Sequence, residues 1–227
     1  VPMSGLDMNR VFPGSERGTV AENVAAKLVA DIRGADVCVD IHASNIFIRE
    51  IPQVRIPSDD SGQLLKYAKM LNTDFVWVHD SNAVGEGSLA HSLRQEGVPT
   101  LVIEMGVGQR ITKAYCHQLL TGIFNLMSRM GVWEGPVNKI SHPMVSSDGA
   151  VNVIHAVEGG IFIPRVEHNM WVQKGTVIGD IVTPITGTVE EEVTAPEDGL
   201  IFSLREYPIV YEGSVIARIL SMKNGEM

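Results

Sequence analysis

Apolar positions recur at helical spacing in one segment near the start of the chain. Within residues 20–33, an apolar side chain recurs every four positions, beginning at Val20, as expected for one side of an α-helix. Thr19 and Glu22 have the spacing of a capping box at the start of this segment, and Gly34 is suited to its end. The pattern therefore predicts a capped helix.

Further along, apolar runs typical of strands alternate with amphipathic stretches typical of helices. Strands are predicted at residues 36–41, 75–78 and 98–105, and helices at residues 63–71, 88–95 and 112–130. The last of these strands, VPTLVIEM, is almost continuously apolar, as in strands covered on both faces of a sheet. Because strands and helices alternate, we predict an α/β domain with a parallel or mixed sheet over residues 1–138.

The pattern changes from residue 139 onward, where segments are short, rich in Val, Ile, Gly and Pro, and without helical spacing. Residues 172–181 (VQKGTVIGDI) are similar to residues 210–219 (VYEGSVIARI), and each copy follows a glycine with an apolar run. Such a repeat predicts two similar β units that pair about a pseudo-two-fold axis to close a sandwich. We therefore predict a second, small all-β domain over residues 139–227.

Composition and charge exclude several classes of protein. The 227 residues are 44% hydrophobic and 20% charged, with a formal net charge of -9. A disordered or membrane-spanning chain has a different composition, and an acidic protein is poorly suited to nucleic acid or an anionic membrane surface. No apolar secretory segment opens the sequence, and Cys38 and Cys116 have no CxxC partner. We therefore predict two buried thiols and a cytoplasmic location.

The first candidate site motif is DMNRVFPG at residues 7–14. Arg10 offers a planar pair of N–H donors suited to a carboxylate, and Asn9 adds a further donor. The alternative interpretation is a solvated loop with a structural arginine. These residues alone leave both interpretations open.

Two further motifs lie at predicted strand ends, where open α/β sheets bind ligands. Asp40 and His42 share one face of a strand end, so His42 is either a metal ligand or an ordinary hydrogen-bonded histidine. Glu104 closes an apolar strand, and burial there raises the pKa of a carboxyl group towards that of a general base. The alternative for Glu104 is a residue that caps the loop or pairs with an arginine.

Three motifs follow one another along the chain: D-x-N-R-x-F-P-G, then D-x-H, then a strand that ends in E-x-G. In this order they resemble the succinylglutamate desuccinylase/aspartoacylase family, a branch of the zinc carboxypeptidase-like fold. The resemblance covers about residues 5–130. It implies zinc-dependent hydrolysis of the amide, or an ester, bond of a small N-acyl amino acid by zinc-bound water, whose pKa the metal lowers to roughly 7. His42 is implied as the third zinc ligand, and Glu104 as the base that activates the water and protonates the leaving amine.

The resemblance also implies roles for the remaining motif residues. Arg10, helped by Asn9, is implied to hold the carboxylate of the substrate. Asp7 is implied to orient a ligand histidine, and Asp40 to support His42. The expected partner is a small-molecule substrate.

One family feature is absent from the sequence. The first two zinc ligands of the family belong to an H-x-x-E motif upstream of D-x-N-R, and no such motif precedes Asp7. Since the chain also begins with Val rather than Met, we expect the N-terminally incomplete part of a longer enzyme. The alternative is a metal-free, non-catalytic homologue that binds a small molecule. His79 could face the site, and Arg49 or Arg55 could supply a second substrate cation.

The C-terminal repeat resembles the barrel-sandwich fold of biotinyl and lipoyl carrier domains. A carrier needs an exposed lysine at a hairpin tip between the two copies, and no lysine occurs between Lys174 and Lys223. We therefore expect no carrier function. The expected role of this region is packing, assembly of a homo-oligomer, or shaping the mouth of the active site.

Overall fold

The computed structural model describes residues 5–80, 85–147 and 150–221. The helices in these ranges are α1 (Val20–Ile32), α2 (Ser61–Ala68), α3 (Leu89–Gln95) and α4 (Lys113–Arg129). The strands are β1 (Cys38–His42), β2 (Ile48–Pro57), β3 (Phe75–His79), β4 (Thr100–Gly106), β5 (Met144–Ser147), β6 (Val151–His155), β7 (Gly160–Pro164), β8 (Met170–Val172), β9 (Val177–Val182), β10 (Val189–Thr194), β11 (Gly199–Arg205), β12 (Ile209–Val210) and β13 (Val215–Ser221). Each helix and strand predicted before residue 139 is present, with slightly different ends.

Helix α1 begins with the predicted capping box. Glu22 Oε2 accepts from the backbone N–H of Thr19 at 2.7 Å, and Thr19 Oγ1 accepts from the backbone N–H of Glu22 at 3.4 Å. The buried face of α1 is formed by small residues, Ala21 and Ala25, together with Val29. The apolar repeat that predicted the helix lies on its more exposed side, so the pattern identified the element but not its buried face.

The largest sheet is mixed and connects both parts of the chain. Its strand order is β1-β4-β2-β11-β13-β6, with β3 joined to β2 and β5, and β8 joined to β11. Strands β1 and β4 are parallel, β4 and β2 antiparallel, and β2 and β3 parallel. Helices α2 and α4 cover this region, where their apolar residues pack with those of β2, β3 and β4. The mixed α/β architecture agrees with the prediction.

The two sequence repeats form equivalent structures. In each repeat, a long strand precedes a short strand, a tight turn and a second long strand: β7-β8-β9 and β11-β12-β13. Each short strand pairs with the first strand of the other repeat, β8 with β11 and β12 with β7. Gly175 and Gly213 occupy the same turn position, with φ of 84° and 80°. Because each short strand pairs with the other repeat, the two repeats have the pseudo-two-fold pairing that the sequence predicted, around one apolar core.

Strands β10, β9, β7 and β12 form a four-stranded sheet within the β-rich part, whereas its other strands join the large mixed sheet. Strand β11 pairs with β2 through Ser203 and Glu50, and β5 pairs with β3. The division of the chain at residue 138 therefore stays a prediction. The hairpin between β9 and β10 has no lysine at its tip, whereas Lys223 and the first four residues lie outside the described ranges.

The two cysteine side chains differ in exposure. Cys38 is half-buried, but Cys116 is exposed on α4, so the prediction of two buried thiols is wrong for Cys116. Cys116 lies in the predicted helix, and this helix directs the thiol outward. None of the described helices is long and apolar enough to cross a bilayer.

Candidate functional site

Strands β1 and β4 place two chemically prominent residues side by side. His42 ends β1, Glu104 lies near the end of β4, and the two residues are register partners in a parallel pair. Because the strands run in the same direction, both residues lie at the carboxyl edge of the sheet, where open α/β sheets bind ligands.

The residues of the first motif are held by a short turn. Asp7 caps this 3-10 turn, and its Oδ1 accepts from the backbone N–H of Asn9 at 3.0 Å. The turn is fixed to α3, because Asn9 Oδ1 accepts from the backbone N–H of Leu89 at 2.9 Å. A Cβ atom at Gly87 would lie 2.3 Å from the carbonyl oxygen of Arg10, so this close approach requires glycine. The guanidinium of Arg10 remains exposed.

The three motifs line two adjoining cavities. The first has a volume of about 250 Å³ and is lined by residues of every motif: Asp7, Asn9, Arg10, His42 and Glu104. The second has a volume of about 300 Å³, shares Asn9, Arg10 and Glu104 with the first, and adds Asp40, Arg55, Trp77 and His79. The structure therefore brings together all six residues that sequence analysis assigned to the site, in what we call the motif cleft.

His42 has a carboxylate beside one ring nitrogen. Its Nε2 lies 3.0 Å from Oδ2 of Asp40, although the angles are not those of a good hydrogen bond. This carboxylate raises the pKa of His42, and burial of the ring opposes the rise. A carboxylate at one nitrogen orients a metal-binding histidine and leaves the other nitrogen, Nδ1, for the metal.

Glu104 is largely buried, with 17% of its side chain exposed. Burial raises the pKa of its carboxyl group, and Arg55, whose Nη1 lies 3.8 Å from Oε1, opposes this rise. The other oxygen, Oε2, is buried and has no hydrogen-bond partner in the part of the chain that the structure describes. A cleft carboxylate with a raised pKa and an unbonded oxygen has the properties of a general base.

The described residues fit one side of a metal centre. Within residues 5–80, 85–147 and 150–221, no three His, Cys, Asp or Glu side chains form a group that could hold a metal ion. A catalytic zinc site takes about three protein ligands. The Asp40–His42 pair fits one ligand with its orienting carboxylate, and the unbonded oxygen of Glu104 fits a base beside the ion.

Of the two arginines considered as a second substrate cation, Arg55 borders the motif cleft and Arg49 does not. Arg55 lies over the ring of Trp77, 5.2 Å from the ring centroid. Arg49 donates from Nη2 to Glu206 at 3.0 Å and lines a different cavity.

Glu50, which no sequence motif indicated, holds Arg55 from behind the cleft. Both carboxylate oxygens of Glu50 accept from Nη2 of Arg55 at 2.9 Å, and Glu50 is 1% exposed. Its strand, β2, was not predicted. The available signal was the segment IREIPQVRIP, where charged residues interrupt an apolar run.

The chain is similar to several known proteins. The N-alpha-acetyl-L-2,4-diaminobutyric acid deacetylase of Halomonas elongata is 24% identical over 96% of this chain, which spans 66% of that protein's length. The product-bound ectoine utilization protein EutE (DoeB) of Ruegeria pomeroyi has a TM-score of 0.83 at 20% identity, covering 97% of this chain and 69% of its own. A succinylglutamate desuccinylase/aspartoacylase of Rhodobacter sphaeroides has a TM-score of 0.80 at 23% identity, covering 98% and 70%.

These solved structures share the fold of this chain. The family model of the succinylglutamate desuccinylase/aspartoacylase catalytic domain matches residues 2–130. This match includes all six residues of the motif cleft that sequence analysis selected, and it extends over more than half of the chain. The chain therefore belongs to the succinylglutamate desuccinylase/aspartoacylase family.

Proposed function

We propose that the protein is a zinc-dependent deacylase that hydrolyses the amide bond, or an ester bond, of a small N-acyl amino acid. The observation that supports this most strongly is the adjacency of His42, beside Asp40, and Glu104, with its unbonded oxygen, in one cleft. Family membership and the deacetylase from Halomonas elongata agree with the same class of reaction.

The proposed substrate carboxylate binds to Arg10. Its guanidinium is exposed at the cleft and presents the paired donors that a carboxylate accepts from. Asn9 and Asp7 fix the turn that carries Arg10, through the hydrogen bonds to Leu89 and within the turn. The amide nitrogen of Asn9 supplies a further donor to the substrate.

In the proposed reaction, bound zinc supplies a Lewis acid that polarises the scissile carbonyl group and lowers the pKa of water. His42 provides one ligand, and Asp40 fixes the orientation of its ring. Glu104 accepts a proton from the attacking water on Oε2 and delivers it to the nitrogen of the leaving amine. Burial, which raises the pKa of Glu104, makes this carboxyl group better able to hold and release the proton near neutral pH.

The test is amine release from a panel of N-acyl amino acids, measured for the wild type and for Glu104→Gln. The substitution keeps the shape of the side chain and removes the base, so kcat should fall about 10²- to 10⁴-fold with the fold unchanged. Glu96→Gln is the matched control, because Glu96 pairs with Arg33 away from the cleft.

Full activity of Glu104→Gln would overturn the proposed mechanism. A different outcome would favour the metal-free binding protein. In that case no substrate turns over, and a carboxylate ligand raises the melting temperature equally with and without a chelator.

A further inference from the structure

The two copies of the C-terminal repeat carry opposite charges at one equivalent position. Asp180 in β9 corresponds to Arg218 in β13. Asp180 accepts from Nε of Arg165 at 2.7 Å, within the β-rich region. Arg218 instead donates from Nη1 to Oε1 of Glu50 on β2, in the other part of the chain. The charge reversal therefore occurs where the second repeat contacts the α/β part.

The contact between Arg218 and Glu50 crosses three adjacent strands. Arg218 of β13 is the register partner of Ser203 of β11, and Ser203 is the register partner of Glu50 of β2. Ser203 is completely buried and small, which leaves room for the two longer side chains to meet across it.

Glu50 is held by two arginines from different parts of the chain. With 1% of its surface exposed, its carboxylate is far from bulk water, and a buried carboxylate is costly unless it is paired. Arg218 donates to Oε1, and Arg55 donates to both Oε1 and Oε2. Burial lowers the pKa of Arg218, and the adjacent carboxylate counteracts this effect.

The row of alternating charges ends at the proposed base. Arg55 holds Glu50 through Nη2, while its Nη1 lies 3.8 Å from Oε1 of Glu104. The guanidinium also lies over Trp77 at the wall of the motif cleft. The order is therefore Arg218, Glu50, Arg55 and Glu104, from the C-terminal β region to the cleft.

We propose that Arg218 is a positioning residue for the reaction: it fixes Glu50, which holds Arg55 in place beside Glu104. This inference rests on the proposed function. It gives the C-terminal β region a part in the site beyond packing. Without Arg218, Glu50 retains Arg55 as its partner, and the guanidinium of Arg55 shifts towards Glu50 and away from Glu104.

The kinetic test compares Arg218→Met and Arg218→Lys with the wild type on an N-acyl amino acid that the wild type hydrolyses. A positioning role predicts that Arg218→Met lowers kcat about 10-fold or more while KM changes little, because small displacements at a site reduce rate steeply. Arg218→Lys, which restores a cation without the planar fork, should recover part of kcat.

The control is Arg165→Met, which breaks the equivalent ion pair of the first repeat. It also leaves a buried carboxylate without its main partner, so it should lower the melting temperature without lowering kcat. If Arg218→Met does not fold, Arg218→Leu combined with Glu50→Met replaces the pair by apolar groups, a change that folds well in other buried ion pairs. The positioning role predicts the same loss of kcat for this double variant.

A second readout does not depend on catalysis. In a background of Trp133→Phe and Trp171→Phe, fluorescence emission reports on Trp77 alone, beneath Arg55. Arg218→Met should change this emission and Arg165→Met should not. If the wild type turns over no substrate, the proposed function fails. The emission of Trp77 still tests whether Arg218 fixes the position of Arg55. Wild-type kcat in a folded Arg218→Met protein, or unchanged Trp77 emission, would overturn the inference.

Discussion

At the scale of single residues, the motif around Glu104 has a direct physical explanation. The strand buries the carboxyl group and raises its pKa. Gly106, two residues later, has a φ of 71°, in the left-handed region that glycine adopts readily. The chain turns at Gly106, the last residue of β4, so the carboxylate of Glu104 lies near the end of the strand and at the edge of the cleft.

Substitution of Arg10 should affect substrate binding more than chemistry. Because the guanidinium is proposed to hold the substrate carboxylate, Arg10→Ala should raise KM about 10-fold or more, with a smaller change in kcat. Arg10→Lys should be intermediate, since lysine keeps the charge and loses the fork. Arg17→Ala, in an exposed part of the following loop, is the control. An unchanged KM for Arg10→Ala would show that the carboxylate binds elsewhere.

His168 should make stability depend on pH. Burial, with a contribution from Arg49, lowers the pKa of His168 below its ordinary value of 6.5, and Nε2 lies 2.5 Å from the hydroxyl of Tyr115 on α4. A lowered pKa in the folded state stabilises the protein above pH 6.5, and this stabilisation is lost as pH falls through the folded-state pKa. The free energy of unfolding of the wild type should therefore fall more than that of His168→Gln between about pH 7.5 and about pH 5.5.

Urea unfolding at the two pH values measures this difference. Equal pH dependence of the wild type and His168→Gln would contradict the prediction.

The candidate site residues could be selected from the sequence because they cluster in short motifs at strand ends. Asp40 and His42 share a face by strand alternation, and the parallel register then places His42 beside Glu104. The assignment of His42 as a zinc ligand and of Glu104 as the base stays a prediction. Glu50 and Arg218 could not be selected, because they come together only through the pairing of β2, β11 and β13.

At the scale of elements, the central strand β2 was the main omission. Its sequence contains Pro52 and four charged or amide residues, which are atypical of a buried strand. The structure buries most of it, because Glu50 and Arg55 of this strand pair with one another, and Arg55 borders the motif cleft. The hydrophobic pattern predicts a strand well where all of its buried side chains are apolar. It predicts a strand poorly where charged residues of a site interrupt the apolar run.

Close packing of α4 against the chain that follows α2 should require glycine at position 122. A Cβ atom at this position would lie 1.9 Å from the carbonyl oxygen of Leu71, so Gly122→Ala should lower the free energy of unfolding by about 1–3 kcal/mol. Gly62→Ala in α2 meets nothing within 4 Å and should instead stabilise by about 0.5–1 kcal/mol. Denaturant unfolding compares the two variants, and equal effects would contradict the packing described.

At the scale of the whole molecule, an aromatic cluster joins the two parts of the chain. Phe202 of β11 packs on Phe75 of β3, with ring centroids 5.1 Å apart, and also on Trp77. Ile51 and Leu200 complete this contact on either side of the predicted boundary. Because backbone pairing and side-chain packing both cross the boundary, we expect the two parts to unfold together.

Removal of Phe202 should therefore destabilise the entire molecule. Phe202→Ala should lower the free energy of unfolding by about 3–5 kcal/mol, since the side chain is fully buried. Calorimetry should show one transition in both wild type and variant, whereas Phe47→Ala, at a ring that is 40% exposed, should have a smaller effect. Two transitions, with one shifted by Phe202→Ala, would instead favour a separate all-β domain.

The most direct test of the account is the zinc content of the protein expressed from its complete gene, measured by elemental mass spectrometry. The account predicts about one zinc ion per chain in the wild type. Zinc should be lost in His42→Ala, bound about 10- to 100-fold more weakly in Asp40→Asn, and retained in Glu104→Gln. Zinc content that is unchanged in His42→Ala, or a wild type that turns over substrate without zinc, would contradict the assignment of the motif cleft as a zinc hydrolase site.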